Sequence, residues 1–277
     1  GNGVQLCSAT VFQAGKYPLR GRFSLSGGNP HVADAPDIGR GLGLQIQLPD
    51  REQWRLAMIN QPVFLDPTPQ DFYDRNLAFA KDPATGKPNP RTVSDYLAAH
   101  PRTVAAMAIT KSTPVAPTFT ASTFHGINAF MFTDADGVTV PVRWKLVPET
   151  AIAAESTVSG PNALFDQLAA DIRQLPRRWT MLIVVGVPGQ DRTDDATIAW
   201  PAQRRSVAVG TVVLTDIATE TSANVRDVNF DPLVLPTGIA PSDDPLLSAR
   251  SAAYAESFRR RTGEPGGRGS VEARGRA

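Results

Sequence analysis

Along several short stretches of the chain, apolar and polar positions alternate with a period of two. Leu42, Leu44, Ile46 and Leu48 are separated by small or polar residues, the signature of a strand with one buried face. A turn at Pro49-Asp50 leads to a second β-prone run from Gln53 to Ile59, and Leu19–Leu25 is another. Val4–Phe12 also reads as strand, set apart by Gly15-Lys16-Tyr17-Pro18, and Ser26–Gly39 reads as a Gly/Pro/Asp-rich loop. In the middle of the chain the period changes. Thr68-Pro69 pairs an N-cap residue with proline at the first helical position. Phe72, Tyr73, Leu77, Phe79 and Ala80 then predict an amphipathic helix to about Lys81. Prolines at 83, 88 and 90 and Gly86 keep 82–91 as loop, and short helices follow over Val93–His100 and Thr103–Ile109.

From Thr118 the strand pattern returns. Asn128–Thr133 and Val138–Leu146 flank Asp134-Ala135-Asp136-Gly137, a hairpin turn. Asn162–Leu175 predicts a helix with Leu164, Phe165, Leu168, Ile172 and Leu175 on one side, and Trp179–Val187 and Ser206–Thr215 are apolar strands. A loop over Asp227–Asp244 precedes a last helix from Asp244-Pro245 to about Arg261. The tail from Gly263 carries no apolar pattern and is expected to be disordered. Strand-rich, helical, then strand-rich again implies an α+β fold on an antiparallel sheet or barrel. One domain over 1–262 and a tail over 263–277 are expected.

Composition narrows the classes. The chain has 277 residues, 42% hydrophobic and 20% charged, ample for a sizeable globular core. With 28 basic against 27 acidic side chains, no field steers it to nucleic acid or an anionic membrane. No run approaches the roughly 18 apolar residues of a membrane span. Cys7 is the only cysteine, which excludes a disulfide framework and a cysteine zinc site. Five lysines against 23 arginines supply many planar donors for carboxylates. Gly1-Asn2-Gly3 has neither a signal peptide's pattern nor an initiator methionine, leaving cytoplasm and periplasm both open.

Two motif matches fail on context. Gly39-Arg40-Gly41-Leu42-Gly43 precedes a strand, whereas a dinucleotide loop links a strand to a helix. Asp134-Ala135-Asp136-Gly137 begins like a calcium loop, but the twelfth position is Lys145 and not glutamate. His31, His100 and His125 are far apart in sequence and form no ligand set. The last helix is different. At 100° per residue Arg250 and Phe258 flank Tyr254 by about 40° on either side, and Arg261 lies about 20° away. One stripe therefore carries a phenol, an aromatic ring and two guanidiniums. A guanidinium one turn away favours the phenolate form of a group that ordinarily titrates near about 10, and a phenolate is a hard ligand suited to ferric haem.

That stripe follows Asp231-Pro232-Leu233-Val234-Leu235-Pro236-Thr237-Gly238-Ile239 and Pro241-Ser242-Asp243-Asp244-Pro245-Leu246. The whole segment resembles the proximal haem segment of the catalase superfamily, and more closely that of the small catalase-related haem peroxidases. The likeness continues upstream in consistent order. Gly21-Arg22-Phe23-Ser24 resembles the segment whose arginine binds a haem propionate and whose serine lies near the distal pocket. Arg40-Gly41-Leu42-Gly43-Leu44 resembles the Arg-Gly-Phe-Ala-Val strand, and Asn60-Gln61-Pro62-Val63-Phe64 the Asn-Thr-Pro-Ile-Phe stretch. Phe72 falls where a phenylalanine covers the haem, and Asn128-Ala129-Phe130 through Val142-Arg143-Trp144 matches the family hairpin.

The resemblance implies a catalase-like antiparallel β-barrel with surrounding helices, and haem b as cofactor. It implies Tyr254 as iron ligand, Arg250 as its phenolate-stabilising partner, Arg22 and Arg261 as propionate partners, and Phe72 and Ser24 near the distal face. It implies a peroxidase reducing organic hydroperoxides or hydrogen peroxide with an external electron donor, and commonly a homo-oligomer. Three departures qualify it. The family's distal histidine lies in an Asn-His-Ala-Lys-Gly-like segment that this chain, read as N-terminally shortened, does not contain. Ile59 and Asn60 stand at the family's Asn-Asn pair, which favours weak or no catalase activity. Phe258 stands where large catalases often carry histidine. The alternatives are a haem-binding protein without turnover and a lipocalin-like barrel with Tyr254 on a surface helix.

Overall fold

Seven strands pair antiparallel in simple chain order, as short connections between sequence neighbours favour. They are β1 (Leu19–Leu25), β2 (Arg40–Gln47), β3 (Gln53–Ile59), β4 (Phe124–Thr133), β5 (Thr139–Pro148), β6 (Arg177–Val185) and β7 (Ser206–Leu214), with a short β8 (Ile239–Pro241) on β4. The helices are α1 (Pro69–Ala78), α2 (Pro90–Ala99), α3 (Pro101–Ser112), α4 (Ala163–Gln174) and α5 (Pro245–Gly263). This is a computed structural model, and it describes residues 2–27, 33–35, 37–149, 160–218 and 225–263. His31, part of the 26–39 loop, and the tail from 264 lie outside the described residues.

The sheet curls into a half-barrel whose concave face is the core. Leu42, Leu44, Trp54, Leu56, Phe130, Phe132, Trp144 and Ile183 meet there, with Trp54 edge-on to Trp144 at 5.2 Å between ring centroids. The α+β antiparallel expectation therefore holds. β3 meets β4 at a single pair, Ile59↔His125, because the chain leaves between them to build α1, α2 and α3. The 227–238 loop covers the free edge of β3: the Arg55 N–H donates to the Val234 carbonyl at 3.0 Å and Arg55 Nη1 to the Asn229 carbonyl at 2.6 Å.

Register decides which residues share a face. Phe23, Leu42 and Met58 stand opposite one another on the core side. One step along, Arg22–Gly43–Ala57 and Ser24–Gly41–Ile59 point the other way. The 134–137 hairpin forms as expected. Asp134 Oδ1 accepts from the Asp136 and Val138 N–H groups, and Gly137 takes φ +81, so Asp134 serves the turn.

Two expectations are corrected. Val4–Phe12 forms 3₁₀ turns at Asn2–Gln5 and Thr10–Phe12. Leu6, Cys7 and Phe12 are buried there, and a Cβ on Gly3 would lie 2.6 Å from the Phe12 ring. The apolar run plugs the core without joining the sheet. Helix α1 buries no side chain, and Phe72, Tyr73 and Leu77 are all exposed. Phe72 lines a cavity, while Tyr73 and Leu77 face outward, so the apolar spacing marks no core face.

Candidate functional site

On the face of β1–β3 that points away from the core lies a cavity of about 500 Å³, within the range typical of cofactor sites. Its floor is the cross-strand pairs Arg22↔Gly43 and Ser24↔Gly41. The glycines keep that floor low: a Cβ on Gly43 would lie 2.8 Å from the Phe230 ring, and one on Gly41 2.6 Å from Ser24 Oγ. The segment from β3 to α1 supplies Asn60, Phe64, Phe72 and Arg75, while the 227–238 loop and α5 supply Phe230 and Tyr254. Arg22, Ser24, Phe72 and Tyr254, read separately from the sequence, thus line one cavity. Among the described lining residues there is no acid and no histidine.

Helix α1 is anchored at its start. Thr68 Oγ1 accepts from the Asp71 N–H at 3.1 Å and donates to Asp71 Oδ2 at 2.6 Å. The Phe72 ring stacks on Phe64 at 5.7 Å, and the Arg75 guanidinium lies 5.5 Å over Phe72. Arg75 Nε donates to both oxygens of the buried Asp66, each at 2.9 Å. Burial raises the Asp66 carboxyl above its ordinary range, with the Arg75 hydrogen bonds opposing.

On the other side a relay backs Tyr254. The Arg250 guanidinium lies 5.8 Å over the Tyr254 ring and donates through Nη2 to the Ala57 carbonyl at 2.9 Å. Its Nη1 donates to Asn128 Oδ1, and Asn128 Nδ2 donates to Asp244 Oδ2 at 2.7 Å. Asp244 Oδ1 accepts from the Leu246 N–H at 2.9 Å, capping α5. Asn128 and Asp244 are buried, and desolvation raises the Asp244 carboxyl above its ordinary range, opposed by the Asn128 hydrogen bond. Residue spacing gives Asn128 no role. Its one local signal is a carboxamide at a buried strand position.

The structure does not bring Arg261 to the cavity. Seven residues past Tyr254 it is roughly 10 Å further along the axis, since each residue rises about 1.5 Å. There its Nη2 donates to the Val228 carbonyl at 3.2 Å and its Nη1 to Ser257 Oγ at 2.9 Å, tying α5 to the loop that carries Phe230. Arg40 also turns inward: its Nη1 donates to the Ala116 and Thr118 carbonyls and to Ser122 Oγ. His100 stacks on Tyr96 at 3.8 Å between centroids, at the end of α2.

His125 sits within the sheet opposite Lys145, away from the cavity lining. Burial, with a smaller contribution from Lys145, pushes its pKa down to about 4. A depressed base pKa means that the unfolded chain binds the proton first. Stability from this group is fully present above about pH 6.5 and falls by up to about 3 kcal/mol as pH drops toward 4. Urea unfolding of the wild type and His125→Gln at pH 7 and pH 4.5 checks this: the wild type should lose more stability, and equal losses would refute it.

The lining suits a flat apolar group with anionic edges: a glycine floor, aromatic rings, arginines and one phenol. Among the described residues no group of three or more His, Cys, Asp or Glu side chains is placed to hold a bare metal ion. Among the same residues no helix is long and apolar enough to cross a membrane. A family model described as Catalase matches residues 2–266. The chain is 38% identical over 256 residues to a catalase-related peroxidase of Synechococcus elongatus, covering 91% of this chain and 75% of that protein. It is 33% identical over 265 residues to one of Mycolicibacterium paratuberculosis, covering 94% and 83%. A fungal catalase and catalase A from Saccharomyces cerevisiae each superpose with a TM-score of 0.80, at 21% and 22% identity. Both matches cover 94% of this chain, which spans little more than half of each, 56% and 57%.

Proposed function

The chain belongs to the catalase family, and from that premise we propose that it is a haem-dependent peroxidase reducing organic hydroperoxides or hydrogen peroxide with an external electron donor. The observation that carries this reading is the convergence of Arg22, Ser24, Phe72 and Tyr254, from three distant segments, on one cavity. Haem, when bound, supplies an iron at which a peroxide O–O bond is reduced at the expense of the donor.

The chain's own residues have separate tasks. Tyr254 Oη would hold the iron, and Arg250 holds the phenol ring from behind, its guanidinium lying over the ring face. Arg22, itself over the Phe230 ring at 5.5 Å, offers its guanidinium to a propionate. Gly41 and Gly43, with Ser24 on the same floor, would leave room for a flat ring system, and Phe72 would flank it from the α1 wall. Asn60 Oδ1 accepts from the Arg40 N–H at 2.8 Å, which fixes that side chain to β2 at the cavity wall. Ile59, at the position of the family's first distal asparagine, favours peroxidase chemistry over efficient disproportionation.

Haem titration of the purified chain, followed by visible absorption, tests the reading. The expected result is one haem per chain with a ferric tyrosinate spectrum, and hydroperoxide-dependent oxidation of guaiacol. Failure to take up stoichiometric haem would overturn it. Stoichiometric haem with no turnover would replace the peroxidase with a haem-binding protein.

A further inference from the structure

Of the arginines lining the cavity, Arg75 is the one held from the α1 side by a buried carboxylate. Its Nε is held by both oxygens of Asp66, whose side chain is fully buried. Tyr96 Oη secures the same corner, donating to the Asp71 carbonyl at 3.0 Å and approaching Asp66 Oδ1 at 3.5 Å. The Arg75 side chain is only 17% exposed, and its guanidinium lies over the Phe72 ring. Its Nη1 and Nη2 make no hydrogen bond to the described residues. Phe64, Leu65 and Phe72 form an apolar wall beside it.

Burying a carboxylate to hold an arginine is a poor way to gain stability, because desolvation offsets the attraction. What the pair does supply is orientation. With Nε fixed, the two remaining amino groups form a planar fork whose geometry matches a carboxylate. Asp66 cancels part of the charge, so a singly charged planar anion suits the position better than a dianionic phosphate.

We propose that Arg75, oriented by Asp66, is a carboxylate-binding position at the α1 wall of the cavity, with the adjoining aromatic wall taking the apolar part of the same ligand. The shared chemistry has two sources: an amphipathic acid in the position of a carboxylate-bearing hydroperoxide substrate, or an edge carboxylate of haem itself. The substrate arm rests on the peroxidase reading, while the binding chemistry does not.

The test uses the full chain and two probe pairs. Dodecanoate against methyl dodecanoate, measured by calorimetry with and without added haem, reports the substrate source. Haem against haem dimethyl ester, measured by absorbance titration, reports the cofactor source. Arg75→Gln strands Asp66, so the decisive variant is Arg75→Gln with Asp66→Asn, which removes both charges together. Arg75→Lys keeps the charge without the fork. The expected result is an acid-over-ester preference in one arm of about tenfold or more, lost in the double variant and reduced in Arg75→Lys. The arm that moves identifies the source. Equal acid-to-ester ratios for wild type and double variant in both arms would overturn the proposal. An Arg75-dependent dodecanoate preference in a chain that takes up no haem would sink the haem reading and leave this one standing.

Discussion

Tyr254→Phe is expected to lower haem affinity by more than about a hundredfold and to abolish the ferric tyrosinate spectrum. The benchmark is that losing a partner outside the coordination sphere commonly costs ten- to a hundredfold, and here the ligand atom itself is removed. The change deletes one oxygen and keeps the ring. The half-buried ring retains its place under the Arg250 guanidinium, so unfolding stability should move by no more than about 0.5 kcal/mol. Haem titration and urea denaturation on the same sample separate the two effects. A variant that binds haem with the wild-type spectrum would remove Tyr254 from the iron.

Asn128→Leu should combine a stability loss with a functional one. The carboxamide bridges Arg250 and Asp244 inside the protein, accepting from one and donating to the other. A leucine of similar volume leaves a buried carboxylate without its side-chain donor and a guanidinium without its acceptor. Removing one partner from a buried charged network costs about 3–5 kcal/mol, which lowers the melting temperature by on the order of 10 °C in a chain of this size. With Arg250 no longer fixed, peroxidase turnover should fall about ten- to a hundredfold. Adding Asp244→Asn to the variant should restore part of the stability, because the amide carries no buried charge yet keeps an oxygen for the Leu246 N–H. Melting unchanged from wild type would show that the bridge carries no weight.

The two variants probe residues of different legibility. Tyr254 and Arg250 are neighbours on one helix, so their relation follows from 3.6 residues per turn. Arg22, Ser24 and Phe72 are legible in the sequence only through likeness to a family, and the cavity brings them to Tyr254. Asn128 is separated from Arg250 by 122 residues. Nothing in the spacing of either segment announces that the two will touch.

Local periodicity served well where a segment's burial depends on its own pattern. β1 and β3 run over the residues expected, and β2, β4, β5, β6, β7 and α5 differ only near their ends. It failed where a distant surface supplied the burial. Val4–Phe12 is apolar because it fills the core, and of the apolar residues of α1 it is Phe72 that serves a cavity wall. The same limit explains Arg261, whose angle on the helix was right and whose height along it set it against the 226–228 turn.

By itself, then, the sequence determined most of the elements, the antiparallel α+β class and the helical stripe that carries Tyr254, because alternation, capping and turn chemistry act over a few residues. Only the tertiary structure decided which of these meet. The register of three strands puts two glycines opposite Arg22 and Ser24, and the curl of the sheet brings β4 to α5. The excursion through α1 sets Arg75 against Asp66. The β4–α5 contact joins residues 122 positions apart, a length over which no short-range pattern carries information.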